Sequence, residues 1–209
     1  MNNSFDFTDD FIEVQEIMKT NLPEPTLLEY YRALNNREII WNDDIGDNMM
    51  EVPLHILKWN REDKGIPIED RKPIRFWINS DGGDLNITMF TANMIALSKT
   101  PVITIGMGCA YSSGGLLLMS GHKRLVFEST SVLIHDGSTG AIGDTSKVID
   151  NLEFTKQFKV RMKEFILSHT NISEDLLDKN YHRDWFLFSE DVIKYGLADK
   201  IITDISEIL

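Results

Sequence analysis

Apolar residues fall in short dense runs separated by polar turns rich in glycine, serine and aspartate, and the length and period of each run assign its element. Glu38-Ile39-Ile40-Trp41, Ile74-Arg75-Phe76-Trp77-Ile78, Val102-Ile103-Thr104-Ile105, Leu125-Val126-Phe127 and Val132-Leu133-Ile134 are brief and rich in β-branched and aromatic residues, which predicts strands. Between them lie helical stretches. Thr26-Leu27-Leu28-Glu29 has the form of a capping box opening a helix to about Leu34. Met49, Met50, Val52, Leu54, Ile56, Leu57 and Trp59 predict a buried helix from Asp47, which Pro53 either confines or joins in its first turn. A polar loop from Arg61 to Lys72 follows. Ile87, Phe90, Met94 and Leu97 recur at three- and four-residue steps, so they predict an amphipathic helix with those four on its apolar face.

A small-residue turn, Gly108 to Gly115, joins the third strand to a short helix through Leu116-Leu117-Leu118-Met119. A Gly/Ser/Thr loop from Gly137 to Gly143 leads into a long helix, Asp144 to His169, with Val148, Leu152, Phe158, Met162 and Phe165 as its apolar stripe. A helix of that length either packs on its own domain or projects onto a neighbouring subunit. Ser173 and Ser189 are expected N-caps, and Gly196 is placed to end the last helix in the left-handed conformation. Alternating strands and helices predict an α/β fold built on a parallel sheet, with its sites where strand ends meet helix starts.

Composition narrows the function without choosing it. The 209 residues suit one domain, and an apolar fraction of 42% with 26% charged residues is that of an ordinary globular protein. The acidic stretch before Leu22-Pro23-Glu24-Pro25 predicts a flexible leader over residues 1–25, ahead of a single domain over 26–209. A formal net charge of −12 disfavours nucleic acid, and no basic patch overrides it. The single cysteine, Cys109, excludes an internal disulfide, and no Cys/His set has zinc-ligand spacing. No secretory start and no apolar run of membrane-spanning length is present, so a soluble cytoplasmic protein without membrane partners is expected.

The candidate chemistry centres on Ser112, the exposed side chain of the strand-to-helix turn. A serine hydroxyl acts as a nucleophile only with a base beside it and a group that orients the base. Of five histidines, His55 sits in an apolar helix, His122 follows a helix end, His169 lies in the last turn of the long helix and His182 is in a polar stretch. His135 ends an apolar strand and opens a Gly-rich loop, so it is either the base or a solvent-exposed strand-end histidine. Asp184 either orients an imidazole or pairs with Arg183, while Asp136 adjoins His135 but points away in an extended segment. Gly82-Gly83 and the amide of Ser113 are candidate oxyanion donors, or else glycines that a tight turn requires. Cys109 reads as a packing residue beneath the turn.

The residues from Tyr31 to Ile202 resemble the proteolytic subunit of the Clp protease. Four motifs carry the resemblance: Ile78-Asn79-Ser80-Asp81-Gly82-Gly83, Gly108-Cys109-Ala110-Tyr111-Ser112-Ser113-Gly114, Ile134-His135, and Arg183-Asp184-Trp185-Phe186-Leu187 with Tyr195-Gly196-Leu197-Ala198-Asp199. The resemblance implies a crotonase-like α/β fold of repeated β-α units with a long projecting handle helix. It implies Ser112 as nucleophile, His135 as base, Asp184 as orienter and the Gly83 and Ser113 amides as oxyanion donors. No cofactor is implied. It also implies a homo-oligomer of two stacked seven-membered rings, unfolded protein or peptide substrates, and an AAA+ unfoldase as partner. The Gly137–Gly143 segment, with Gly137, Gly140 and Gly143, would pair with the substrate backbone as an added strand. Asp81 stands where the family has proline, Gly137 where it usually has proline, and His182 where it usually has a carboxylate. The alternatives are a catalytically weak or inactive ring-forming or capsid-associated subunit, and an acyl-CoA hydratase of the related fold, which uses a similar pair of amides but needs no Ser-His-Asp set.

Overall fold

Alternate residues of the strand over Ile74–Ser80 are buried, as a strand between two others and beneath helices requires. That strand lies in a computed structural model that describes residues 25–208. The expected leader lies outside the described residues except for Pro25. The chain divides into two units at Asn36 and Arg37. Of the first, helix α1 (Pro25–Asn35) is described. It begins one residue before the predicted capping box.

The second unit is built on a seven-stranded sheet with β1 (Glu38–Asn42), β2 (Ile74–Ser80), β3 (Val102–Tyr111), β4 (Lys123–Val126), β5 (Ser131–Ile134), β6 (Trp185–Phe188) and β7 (Lys200–Ile201). The path β1-β2-β3-β4-β7 is parallel throughout, as short apolar strands joined through helices predict. β3 is long enough to serve two neighbours. Ile103–Gly106 pair with β4, and Cys109–Tyr111 pair with β5, which in turn pairs antiparallel with β6. Gly108 to Tyr111 are therefore strand residues, and the predicted turn contracts to Ser112.

Helices α2 (Glu51–Glu62), α3 (Leu85–Leu97), α4 (Ser113–Met119), α5 (Thr145–His169), α6 (Glu174–Asn180) and α7 (Ser189–Lys194) complete the unit. Pro53 lies in the first turn of α2, where its missing N–H costs nothing. Where α2 ends, Asp63 is 2% exposed and holds three elements together. Arg37 donates to both its carboxylate oxygens at 2.7 Å, and the Thr100 hydroxyl donates at 2.6 Å. The Arg37 contact leads in holding the Asp63 carboxyl below its ordinary range, against burial.

α3 turns the expected face outward. Its buried residues are Thr88, Thr91, Ala92 and Ile95, whereas Phe90 and Leu97 of the predicted stripe are exposed, Leu97 by 78%. Small side chains let α3 approach α2 and α4 closely, and the Thr88 hydroxyl is satisfied by the Asp84 carbonyl at 2.7 Å. α5 is buried only at Met162 and Ile166, near its C-terminal end, and its first half is open to solvent. Ser173 caps α6 by accepting the Leu176 N–H. Ser189 does not cap α7: the N-cap is Phe188, and the Ser189 hydroxyl instead donates to the Glu128 carbonyl at 2.8 Å. Gly196, at φ 71°, follows α7 as expected.

Candidate active site

Strand register assembles the site. Tyr111 on β3 pairs with Leu133 on β5, so Ser112 leaves β3 beside Ile134 and one residue short of His135. The Ser112 N–H fixes this alignment by donating to the Leu133 carbonyl at 2.9 Å. On the other edge of β5, Ile134 pairs antiparallel with Trp185, which sets Asp184 opposite His135. Three residues separated by 72 positions of sequence thus meet through two adjacent strand pairings.

The side chains follow. His135 Nε2 lies 2.8 Å from Ser112 Oγ, and His135 Nδ1 lies 3.2 Å from Asp184 Oδ1. A proton on Nδ1 facing the carboxylate leaves Nε2 able to accept from the serine hydroxyl. The Asp184 side chain is 63% exposed, so its hold on the imidazole is exerted close to water and not in a buried niche. The alternative pairing of Asp184 with Arg183 is not made; Arg183 donates to Asn180 Oδ1 at 3.0 Å.

Ser112 has φ 52° and ψ −118°, a conformation that costs a non-glycine residue on the order of 1–3 kcal/mol. This bend presents its hydroxyl at the head of α4. The strain is held by close packing of the neighbouring turn: a Cβ on Gly82 would sit 2.8 Å from Ser112 Cβ, and one on Gly83 only 2.1 Å from the Ile45 carbonyl oxygen. Ile45 clamps this turn, donating to Gly82 O and accepting from Asp84 N–H, each at 2.7 Å. That pattern occupies the groups on either side of the Gly83 amide, whose own N–H has no backbone acceptor among the described residues. The Ser113 N–H, first of α4, likewise has no backbone acceptor among the described residues. Gly83 and Ser113 line one cavity together with Ser112 and His135.

That cavity, of about 320 Å³, is deepened by Leu85, Leu116, Met119, Leu133, Met162 and Ile166. Such a mixture of apolar walls and a few convergent polar groups suits a side chain held beside a reacting carbonyl. Gly137 lines the cavity, whereas Gly140 and Gly143 lie outside its lining. The segment from Asp136 to Gly143 has no strand partner among the described residues. Cys109 faces Asn79 and Asp81 beneath the turn, and burial, then the Asp81 charge, push its thiol above the ordinary range.

Sequence reasoning missed a second polar group beside the site. Asp136 is engaged outside the Ser112–His135–Asp184 set: Lys159 of α5 donates to it at 2.9 Å, and His182 Nδ1 lies 3.4 Å away. Burial pushes the Asp136 carboxyl up, and these two partners outweigh it and bring it below the ordinary range. Its own N–H donates to the Tyr181 carbonyl at 2.8 Å. Tyr181 is buried against the cavity, and burial, with Asp136 second, pushes its phenol up to about 12. No local motif announces a contact between residues 136, 159 and 182. The remaining histidines have structural partners: His55 stacks on Trp59, His122 Nδ1 accepts the Val102 N–H, and His169 stacks on Phe165. Among the described residues no cluster of His, Cys, Asp or Glu is arranged to hold a metal ion, and no helix is long and apolar enough to cross a membrane.

A mostly parallel α/β sheet carrying a strand-to-helix serine and a facing histidine is the setting in which the comparisons fall. A family model described as "Clp protease" matches residues 24–205. The chain is also similar to the ATP-dependent Clp protease proteolytic subunit of Deinococcus radiodurans, with 30% identity over 136 residues, which cover 64% of this chain and 67% of that protein. The chain belongs to the Clp protease family.

Proposed function

We propose that this chain is a serine endopeptidase that cleaves extended polypeptide through an acyl-enzyme. One observation carries the reading: Ser112 Oγ, the two ring nitrogens of His135 and Asp184 Oδ1 form a continuous relay with spacings of 2.8 and 3.2 Å. Ser112 Oγ attacks the peptide carbonyl while His135 Nε2 takes its proton. The Gly83 and Ser113 amides hold the oxyanion, and collapse of the tetrahedral species expels the amine with the proton returned by His135. Water then repeats the sequence to release the acid. Asp184 keeps the imidazole in the required tautomer. The segment through Gly137, Gly140 and Gly143 offers backbone groups to an incoming strand, so binding depends little on side-chain identity.

Copies of the chain stack as two seven-membered rings in this reading, with the apolar exposed residues Ile149, Leu152 and Phe154 of α5 covered by another copy. An AAA+ unfoldase supplies unfolded chains to the enclosed sites. The isolated protein is expected to hydrolyse a short fluorogenic peptide with an apolar residue before the cleaved bond. Ser112→Ala should abolish that hydrolysis while leaving the far-ultraviolet spectrum intact; a variant as active as the parent overturns the reading.

A further inference from the structure

We propose that Asp81 gives the site a charge preference, favouring substrates with a lysine or arginine flanking the cleaved bond; this rests on the serine endopeptidase reading above. Two carboxylates line the cavity, Asp81 and Asp136. Asp136 is answered by Lys159 at 2.9 Å and by His182 at 3.4 Å. Two other carboxylates near the site are also engaged: Asp84 accepts the Ile87 N–H at 2.9 Å, and Asp184 faces His135 at 3.2 Å. Asp81 faces neither a cation nor a backbone N–H among the described residues. Its partner is the Cys109 thiol, 3.7 Å from Oδ1, a weak donor at long range.

Position in the chain makes this charge matter. Asp81 precedes the proposed oxyanion donor Gly83 by two residues, a span of at most about 7 Å of extended backbone. A substrate whose carbonyl oxygen meets the Gly83 amide therefore passes Asp81 with the side chains next to the reacting residue. The apolar walls take the side chain of the acylated residue itself. A neighbouring cation gains an unanswered carboxylate as partner, and a neighbouring anion meets like charge. Because Asp81 is exposed, the discrimination is modest and salt-sensitive.

The test uses the full chain and fluorogenic peptides with one fixed apolar residue at the acylated position. Arginine, glutamine or glutamate is placed at each of the two positions on either side. At one of these positions kcat/KM for arginine should exceed that for glutamate by about fivefold at low salt. The ratio should fall towards one in 0.5 M NaCl, persist in Asp81→Glu and vanish in Asp81→Asn. A parent ratio near one at every position, or a ratio unchanged in Asp81→Asn, overturns the proposal; the salt series decides it if that variant fails to fold. Titration with a fluorophosphonate separates the two levels. Phosphonylated Ser112 with indifferent charge selection refutes Asp81 alone, whereas absence of both phosphonylation and hydrolysis refutes the endopeptidase reading and this inference with it.

Discussion

Ser112 shows how little a single residue decides. A serine in a glycine-rich stretch is ordinary, and its significance comes from a backbone at φ 52° that only the surrounding turn can hold. Gly83 has no room for a side chain, so Gly83→Ala should lower the melting temperature and abolish peptide hydrolysis together, as read by thermal denaturation and a fluorogenic assay. Asp184→Asn is a cleaner probe of chemistry. With the tautomer no longer fixed, kcat should fall by roughly 10²- to 10⁴-fold, with the melting temperature nearly unchanged because the carboxylate is exposed. At this scale Ser112, His135 and Asp184 were legible as candidates from their places at strand and loop ends. The engagement of Asp136 by Lys159 was not, because the two are 23 residues apart on elements whose packing no local pattern encodes.

Elements translate those candidates into a site. The apolar runs identified five of the seven strands and left β6 and β7 unassigned, although β6 is the strand that sets Asp184 beside His135; nor can sequence periodicity disclose that one long strand, β3, serves two partners. α3 is the instructive failure. Periodicity follows the largest side chains, whereas close helix packing here uses Thr88, Thr91 and Ala92 and leaves Phe90 and Leu97 outside. The Arg37–Asp63–Thr100 cluster ties β1, α2 and the start of β3, and removing its carboxylate leaves a largely buried guanidinium with only the Lys72 carbonyl at 2.9 Å and the Glu62 carboxylate at 3.8 Å. Asp63→Ala should therefore cost about 3 kcal/mol in chemical denaturation.

The same cluster sets an acid response. The folded Asp63 carboxyl titrates below its ordinary range, so the unfolded chain takes up its proton first as pH falls. Its stabilisation is complete above the unfolded value of about 3.9 and is lost as pH drops from there through the lower folded value. Denaturation midpoints between pH 5 and pH 2 should fall less steeply in Asp63→Asn than in the parent.

For the whole molecule, the α/β class and the first five strands followed from the alternation of apolar runs, and four ordered motifs pointed to the family that the comparisons establish. What a single chain leaves open is the covering of its apolar surface. Phe90 and Leu97 on α3, and Ile149, Leu152 and Phe154 on α5, are exposed in one unit of the fold. If two rings stack through α5, light scattering should give a mass of many chains for the parent and half that mass for Ile149→Asp/Leu152→Asp. An unchanged mass in that double variant places the contact elsewhere.

In the proposed mechanism everything depends on Ser112 being a nucleophile activated by His135. The most direct test of this is to treat the protein with a fluorophosphonate and locate the adduct by tandem mass spectrometry, comparing the parent with His135→Ala. One adduct per chain is expected, on Ser112, formed at least 10²-fold more slowly in the variant. An adduct on any other residue, or a Ser112 adduct that forms equally fast without His135, would contradict it.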